Sequence, residues 1–122
     1  MRVLVVDDAR LVRERLVDII AAIPGVEAVL QASDGDEALA LVPVEHPDVM
    51  VLDIHMPRVG GFKVLNALQK IASTVVVILL TNHVEYRRHA LRKGAAYFFD
   101  KATELDALLA TLADLAAGAL PL

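Results

Sequence analysis

The sequence predicts a three-layer α/β/α domain built around one parallel sheet. Three observations predict it. Short unbroken apolar runs alternate with segments of helical period, the connections between them are short, and the 122 residues are 57% hydrophobic but only 4% aromatic, so the core is made of Val, Leu, Ile and Ala. Apolar runs without polar alternation suit strands buried on both faces, as in a parallel sheet covered by helices. Five strands and five helices in strict alternation give a (βα)5 arrangement with right-handed crossovers, one domain over residues 1–122.

The first strand is residues 3–6, VLVV. Val12, Leu16, Ile19, Ile20 and Ile23 then fall on one helical stripe, with Arg10, Arg13, Glu14 and Asp18 largely opposite, and Pro24-Gly25 ends that helix. A weaker run at 28–31 is the second strand. Asp34 followed by Glu37 resembles a capping box, with Asp in the Ser/Thr place, and opens a helix through residues 38–42. Residues 49–52 form the third strand, and Gly60-Gly61 precede a helix carrying Val64, Leu65 and Leu68. The purest run, 75–80, is the fourth strand. A helix from about 83 to 93 follows and stops at Gly94, a favourable C-terminal glycine. Residues 95–99 are the fifth strand. The last helix, from about 103 to 117, carries Leu105, Leu108, Leu109, Leu112 and Leu115, and only the tail 118–122 looks loosely structured.

Composition excludes several functions. The formal net charge is −4, which argues against nonspecific binding to phosphate backbones, so no direct nucleic-acid contact is expected. The chain has no cysteine, which excludes disulfides, thiolate nucleophiles and Cys-based zinc sites. No apolar run approaches the ~18–20 residues of a membrane span, so no membrane association is expected. No basic stretch precedes the first strand, so no signal peptide is visible and the simplest location is cytoplasmic.

Ligands of open α/β sheets bind at the carboxyl ends of the strands, near the point where strand order reverses. Asp7 and Asp8 stand just after the first strand, Asp53 after the third, Thr81 after the fourth and Lys101 after the fifth. In a flavodoxin-like order 2-1-3-4-5 the first and third strands are neighbours, and the three acids share one cleft. Two carboxylates ~4 Å apart repel by about 4 kcal/mol at an effective dielectric of ~20, so such a cluster calls for a cation. Hard, anionic oxygen ligands point to Mg²⁺, which keeps waters that a phosphate can displace. Lys101 adds positive charge and Thr81 a hydroxyl donor. No P-loop or dinucleotide fingerprint follows any strand, and no Ser or Cys stands near a plausible base. Phosphoryl transfer onto a carboxylate remains, chemistry that needs mainly positioning and charge neutralisation.

These residues resemble the response-regulator receiver family over essentially the whole chain. The resemblance rests on VLVV running into Asp7-Asp8, on LDIHMP (52–57), LLT (79–81), GAAY (94–97) and FFDK (98–101), in that order and spacing. It implies that Asp53 is the phosphoacceptor and that Asp8 and Asp53 ligate Mg²⁺ directly. Asp7 would act mostly through bound water, and the backbone carbonyl of His55 would be a further ligand. Thr81 would bond a phosphoryl oxygen, and Lys101 would pair with Asp53 before transfer and with the phosphoryl group afterwards. The implied donor is a phosphohistidine on a histidine kinase or histidine phosphotransfer protein. Phe98, three residues before the lysine, would turn inward as the switch residue together with Thr81, while strand alternation aims Tyr97 at the opposite face. The implied output surface is the fourth helix, fifth strand and fifth helix, and the implied function is a phosphorylation-controlled binding module, not a turnover enzyme.

The alternative from the enzyme class is a Mg²⁺-dependent phosphohydrolase with Asp53 as nucleophile. It lacks the Asp-x-Asp pattern usual in such enzymes, because His55 is two residues after Asp53. Several positions depart from the commonest receiver pattern or vary within it. Asn82 replaces a smaller residue, RVGG (58–61) lacks an Asp before its second glycine, and Ala102 replaces a frequent proline, so no cis peptide is expected there. His55 and His83 occupy variable places beside the site and are expected to tune phosphoryl lifetime. Leu11 lies off the buried stripe of the first helix, and Arg87, Arg88, Arg92 and Lys93 put a basic helix in an acidic protein.

Overall fold

A computed structural model describes residues 1–56, 59–71 and 73–118 of the chain. In order they form β1 (Arg2–Val6), α1 (Arg10–Ala21), β2 (Ala28–Ala32), α2 (Gly35–Glu45), β3 (Val49–Leu52), α3 (Gly61–Lys70), β4 (Val76–Thr81), a 3₁₀ turn (Val84–Tyr86), α4 (Arg87–Arg92), β5 (Tyr97–Asp100) and α5 (Leu105–Ala116). The strands make one sheet of order β2-β1-β3-β4-β5, each neighbouring pair parallel. The expected fold class and strand order are both found. Pro57 and Arg58, within the LDIHMP and RVGG segments, and the tail beyond Gly118 lie outside the described residues.

The unbroken apolar runs have the meaning that burial on two faces gives them: Val3, Leu4, Val5 and Val6 are at most 1% exposed. Alternate residues enter two separate cores. Leu4, Val6, Met50, Leu52, Val77, Leu79 and Phe98 pack against α2, α3 and α4 through Ala38, Val64, Leu65, Leu68 and Ala90. Val3, Val5, Val49, Val51, Ile78 and Leu80 pack against α1 and α5 through Leu16, Ile20, Leu108 and Leu112.

Local chemistry sets most of the boundaries. Asp34 caps α2 by accepting the Glu37 amide at 2.9 Å, and the Glu37 carboxylate reaches back one residue further than a capping box usually does, to the Ser33 hydroxyl at 3.0 Å. α2 continues past residue 42 and takes Pro43 into its last turn before His46 ends it in the left-handed conformation. α1 stops at Ala21, earlier than the Pro24-Gly25 signal, and Gly25 makes the following turn at φ +91°. Along α1 the stripe is also narrower than expected, with Leu16 and Ile20 buried but Val12 38% exposed, while Leu11 at 80% exposure lies off it as expected.

Two expected helices are shorter than their periodicity suggested. The stretch from residue 83 is not one helix but the 3₁₀ turn followed by the six residues of α4. Neither His83 before the turn nor Tyr86 before α4 offers a side-chain cap, and the Arg87 amide donates instead to the Val84 carbonyl of the turn. Gly94 ends α4 as expected, at φ +110°. α5 begins at Leu105 because Asp100 organises the preceding turn. Its carboxylate accepts the Ala102 amide at 2.8 Å, and its carbonyl accepts the amides of Thr103 and Glu104. Among the described residues every peptide bond is trans, including that after Lys101.

One clamp joins α4, β5 and α5. Arg87 donates to the Phe98 carbonyl at 3.2 Å and to the Glu104 carboxylate at 2.5 Å, with its guanidinium 5.1 Å from the centre of the Phe98 ring. The same Glu104 oxygen accepts the Asp100 amide at 2.9 Å. That amide first, and Arg87 second, hold the Glu104 carboxyl below its ordinary value of 4.5. A depressed carboxyl stabilises the fold above its unfolded-state value and loses that contribution as pH falls through the lowered one. Glu104→Gln is therefore expected to lower Tm slightly at neutral pH and to flatten its decline below pH 4.5, measured by thermal melts across an acid series.

Gly61 presses the start of α3 against the chain leaving β3. A methyl group there would sit 2.6 Å from the Asp53 carbonyl oxygen and 2.9 Å from Ile54 Cα, and the Gly61 amide donates to the Ile54 carbonyl at 2.8 Å. Backbone on both sides leaves no soft partner to yield. Gly61→Ala is expected to cost about 1–3 kcal/mol, read as a lower denaturant midpoint at unchanged slope.

Candidate functional site

Three hydrogen bonds extend the strand ladders by one residue and carry the predicted residues to the same rim. The Asp7 amide donates to the Ala32 carbonyl at 3.2 Å, the Asp53 amide to the Val6 carbonyl at 3.1 Å, and the Lys101 amide to the Thr81 carbonyl at 2.9 Å. Positions in a parallel sheet share a register, so Val6 faces Leu52, Leu52 faces Leu79 and Thr81 faces Asp100. Side chains that follow these positions emerge together.

Asp7, Asp8 and Asp53 are brought together, each offering a carboxylate oxygen within 4.8 Å of the others. Asp7 is buried at 2% exposure and Asp8 is exposed, so the cluster opens to solvent on the Asp8 side. In each of the two inner acids one oxygen is held by backbone. Asp7 Oδ1 accepts the Ala9 amide at 2.9 Å, and Asp53 Oδ1 accepts the Ile54 amide at 2.7 Å. Their other oxygens converge on Lys101, whose Nζ lies 2.6 Å from Asp7 Oδ2 and 3.2 Å from Asp53 Oδ2. The expected Lys101–Asp53 pair is present, though the shorter bond goes to Asp7. Burial alone draws the Lys101 ammonium down, but the hydrogen bond to Asp7 and the charges of Asp53 and Asp7 outweigh it, so its pKa is raised.

Thr81 is fully buried, and its hydroxyl oxygen accepts the His83 amide at 3.2 Å. Phe98 is 3% exposed on the α3–α4 side of the sheet, while Tyr97 and Phe99 lie on the other, as alternation predicts. His55 and His83 meet edge to face with ring centres 3.7 Å apart, and Tyr86 stands 5.8 Å from His55. His55, His83 and Tyr86 thus form one ring cluster on the segments that follow Asp53 and Thr81.

Two supporting residues escaped the sequence reading. Arg13, expected on the outward side of α1, is half-buried and donates to the Asp7 carbonyl at 2.9 Å. Arg87, counted with a basic helix face, stays exposed but lies across Phe98 and bonds Glu104. The Arg87 contacts have no signal in spacing, because their partners are 11 and 17 residues away and meet it only through the sheet order.

Lys101 is the cation that makes the buried Asp7 tolerable, with the two side chains 18% and 3% exposed. Breaking a buried pair from one side leaves an uncompensated charge. Lys101→Met is expected to destabilise by about 2–4 kcal/mol, discounted for the partial exposure of Lys101. In a double-mutant cycle with Asp7→Asn the loss should shrink by more than about 1 kcal/mol. Additive losses would remove Lys101 from that role.

Comparison with known proteins agrees with this geometry. The family model of the response regulator receiver domain matches residues 3–113. The transcriptional regulatory protein DegU of Brevibacillus brevis is 33% identical over 97% of this chain, and a protein-glutamate methylesterase/protein-glutamine glutaminase of Anaeromyxobacter dehalogenans is 37% identical over 83%. The chain spans about half the length of the first, 51%, and 30% of the second. The signal receiver domain of a NarL protein from Mycobacterium tuberculosis superposes with a TM-score of 0.85 at 33% identity, over 97% of both chains. The response regulator TrrA of Thermotoga maritima, solved in complex with Mg²⁺-BeF, superposes at 0.82 with 30% identity, over 93% of this chain and 97% of that one. The expected lack of nucleic-acid contact gains no support here, since DegU is by name a transcriptional regulator. Among the described residues no helix is long and apolar enough to cross a membrane. The chain belongs to the response regulator receiver family, the phosphoacceptor switches of two-component signalling.

Proposed function

We propose that Asp53 is the phosphoacceptor of this switch, and that the Lys101 ammonium bridging Asp7 and Asp53 is the observation that carries the assignment. Asp53 Oδ2 attacks the phosphorus of a phosphohistidine on a histidine kinase or histidine phosphotransfer protein. The O–P bond forms as the P–N bond breaks, and the imidazole leaves with the electron pair and takes up a proton. Asp53 Oδ1 stays on the Ile54 amide, which fixes the carboxylate for in-line approach.

Lys101 faces Asp53 Oδ2 from 3.2 Å and follows the charge onto the phosphoryl oxygens without leaving Asp7. The Thr81 oxygen accepts from the His83 amide, which leaves its own proton to donate to a phosphoryl oxygen. The all-oxygen donor set of Asp7, Asp8 and Asp53 fits Mg²⁺, with Asp8 and Asp53 as direct ligands, Asp7 through water and the His55 carbonyl alongside. When bound, Mg²⁺ neutralises charge building on the phosphoryl oxygens.

Phosphorylation replaces a carboxylate of charge −1 by an acyl phosphate of about −2. Thr81 is drawn toward the new oxygens, and Phe98, packed beneath α4 and under Arg87, adjusts with it. The α4–β5–α5 face is then the surface that a downstream protein reads. In this reading the chain turns over no free metabolite, and a cytoplasmic location follows from the family alone.

Intact-mass measurement after incubation with Mg²⁺ and a promiscuous histidine kinase tests the assignment. One phosphoryl group per chain is expected, lost with Asp53→Asn and with chelation of Mg²⁺. Labelling that persists in Asp53→Asn, or steady turnover of a generic phosphate ester, would replace it with another acceptor or with the phosphohydrolase.

A further inference from the structure

Charge is distributed unevenly along this chain. Residues 61–94 hold six of its twelve Lys and Arg (Lys63, Lys70, Arg87, Arg88, Arg92 and Lys93) and one of its sixteen acids, Glu85. That segment is net +5 within a protein of net −4, so the remainder is net −9. Most of β4 is buried, so the positive charge is displayed by α3 and α4.

These two helices lie side by side. Gln69 donates to the Lys93 carbonyl at 2.6 Å, and the Phe62 ring is centred 4.8 Å from His89 and 5.6 Å from Tyr86. Between them runs a groove of about 250 Å³ lined by Phe62, Lys63, Asn66, His89 and Lys93, an aromatic floor with ammonium groups at its edge. Arg87 is engaged by Phe98 and Glu104. Among the described residues Lys63, Lys70, Arg88, Arg92 and Lys93 are all exposed and form no ion pair. Arg88 and Arg92 stand four residues apart on one helix, a spacing at which like charges repel. α5 differs, with Asp106 and Asp114 and no basic residue. The α4–β5–α5 face is therefore mixed in sign, and the α3–α4 face is of one sign.

We propose that the α3–α4 groove docks an acidic segment of a partner protein, one apolar side chain seated against Phe62 and carboxylates facing Lys63 and Lys93. A short segment fits better than a nucleic acid, because an extended polyanion leaving the groove meets the rest of the chain, whose formal charge is −9. Docking here does not require a phosphoryl group on Asp53.

The test is an amide-shift titration of the isotope-labelled full chain with a synthetic peptide of Asp, Glu, Leu and Phe. An Asn/Gln counterpart, a DNA duplex and phosphatidylglycerol vesicles serve as comparators. Shifts confined to residues 62–70 and 86–94 are expected, with affinity falling about tenfold between about 50 and about 300 mM salt. Lys63→Glu with Lys93→Glu should weaken binding by at least about tenfold, and Lys63→Gln with Lys93→Gln by less, while Arg15→Glu leaves it unchanged. Thermal melts show that each variant is folded, and the Gln pair stands in if the Glu pair is not. No peptide binding, equal binding of the neutral peptide, shifts centred on α5 or the Asp53 rim, or insensitivity to the Lys63 and Lys93 changes would each overturn the proposal. Tighter binding of DNA or vesicles through the same residues would overturn the choice of a protein partner.

Discussion

The whole site depends on one ammonium. Three carboxylates at one rim of a sheet repel one another, and two of them, Asp7 and Asp53, are largely removed from water. Lys101 reaches both from the far side of β4, closing contacts between residues 94 and 48 positions apart in sequence. Because it lies closer to Asp7 than to Asp53, it is anchored on the carboxylate that the proposed reaction leaves unchanged. A cation fixed in this way needs little reorganisation when charge on its second partner grows.

Backbone geometry supplies the precision that flexible side chains lack. The ladder bonds at Asp7, Asp53 and Lys101 continue the strands past their formal ends, and the spare carboxylate oxygens are tied to the Ala9 and Ile54 amides. Asp7 and Asp53 then each turn a second, defined oxygen to Lys101. Gly61 belongs to the same apparatus, since only a residue without Cβ lets α3 begin against the Asp53 carbonyl.

The layering and the acidic cluster were legible in the sequence for one reason: both follow from position along strands. An apolar run states that a strand is covered twice, and the residue after it lies at the rim. Hence residues 3–6, 49–52 and 75–80 located the sheet to within a residue, and Asp7, Asp8, Asp53, Thr81 and Lys101 followed. Contacts between elements were not legible. Arg87 reads as one more exposed base on α4, and its turn toward Phe98 depends on β5 and α5 lying beside it. The length of α4 was also hidden, because hydrophobic period says where a helix can run but does not separate a 3₁₀ turn from the α-helix that follows it.

The division of the interior into two cores has a further implication. Neighbouring residues of β5 belong to different compartments: Phe98 to the one under α2, α3 and α4, and Tyr97 and Phe99 to the one under α1 and α5. The sheet is a partition, with the Phe98 ring packed on one side of it. A shift of α4 reaches the far compartment through the Arg87–Glu104 pair, which fastens α4 to the residue before α5.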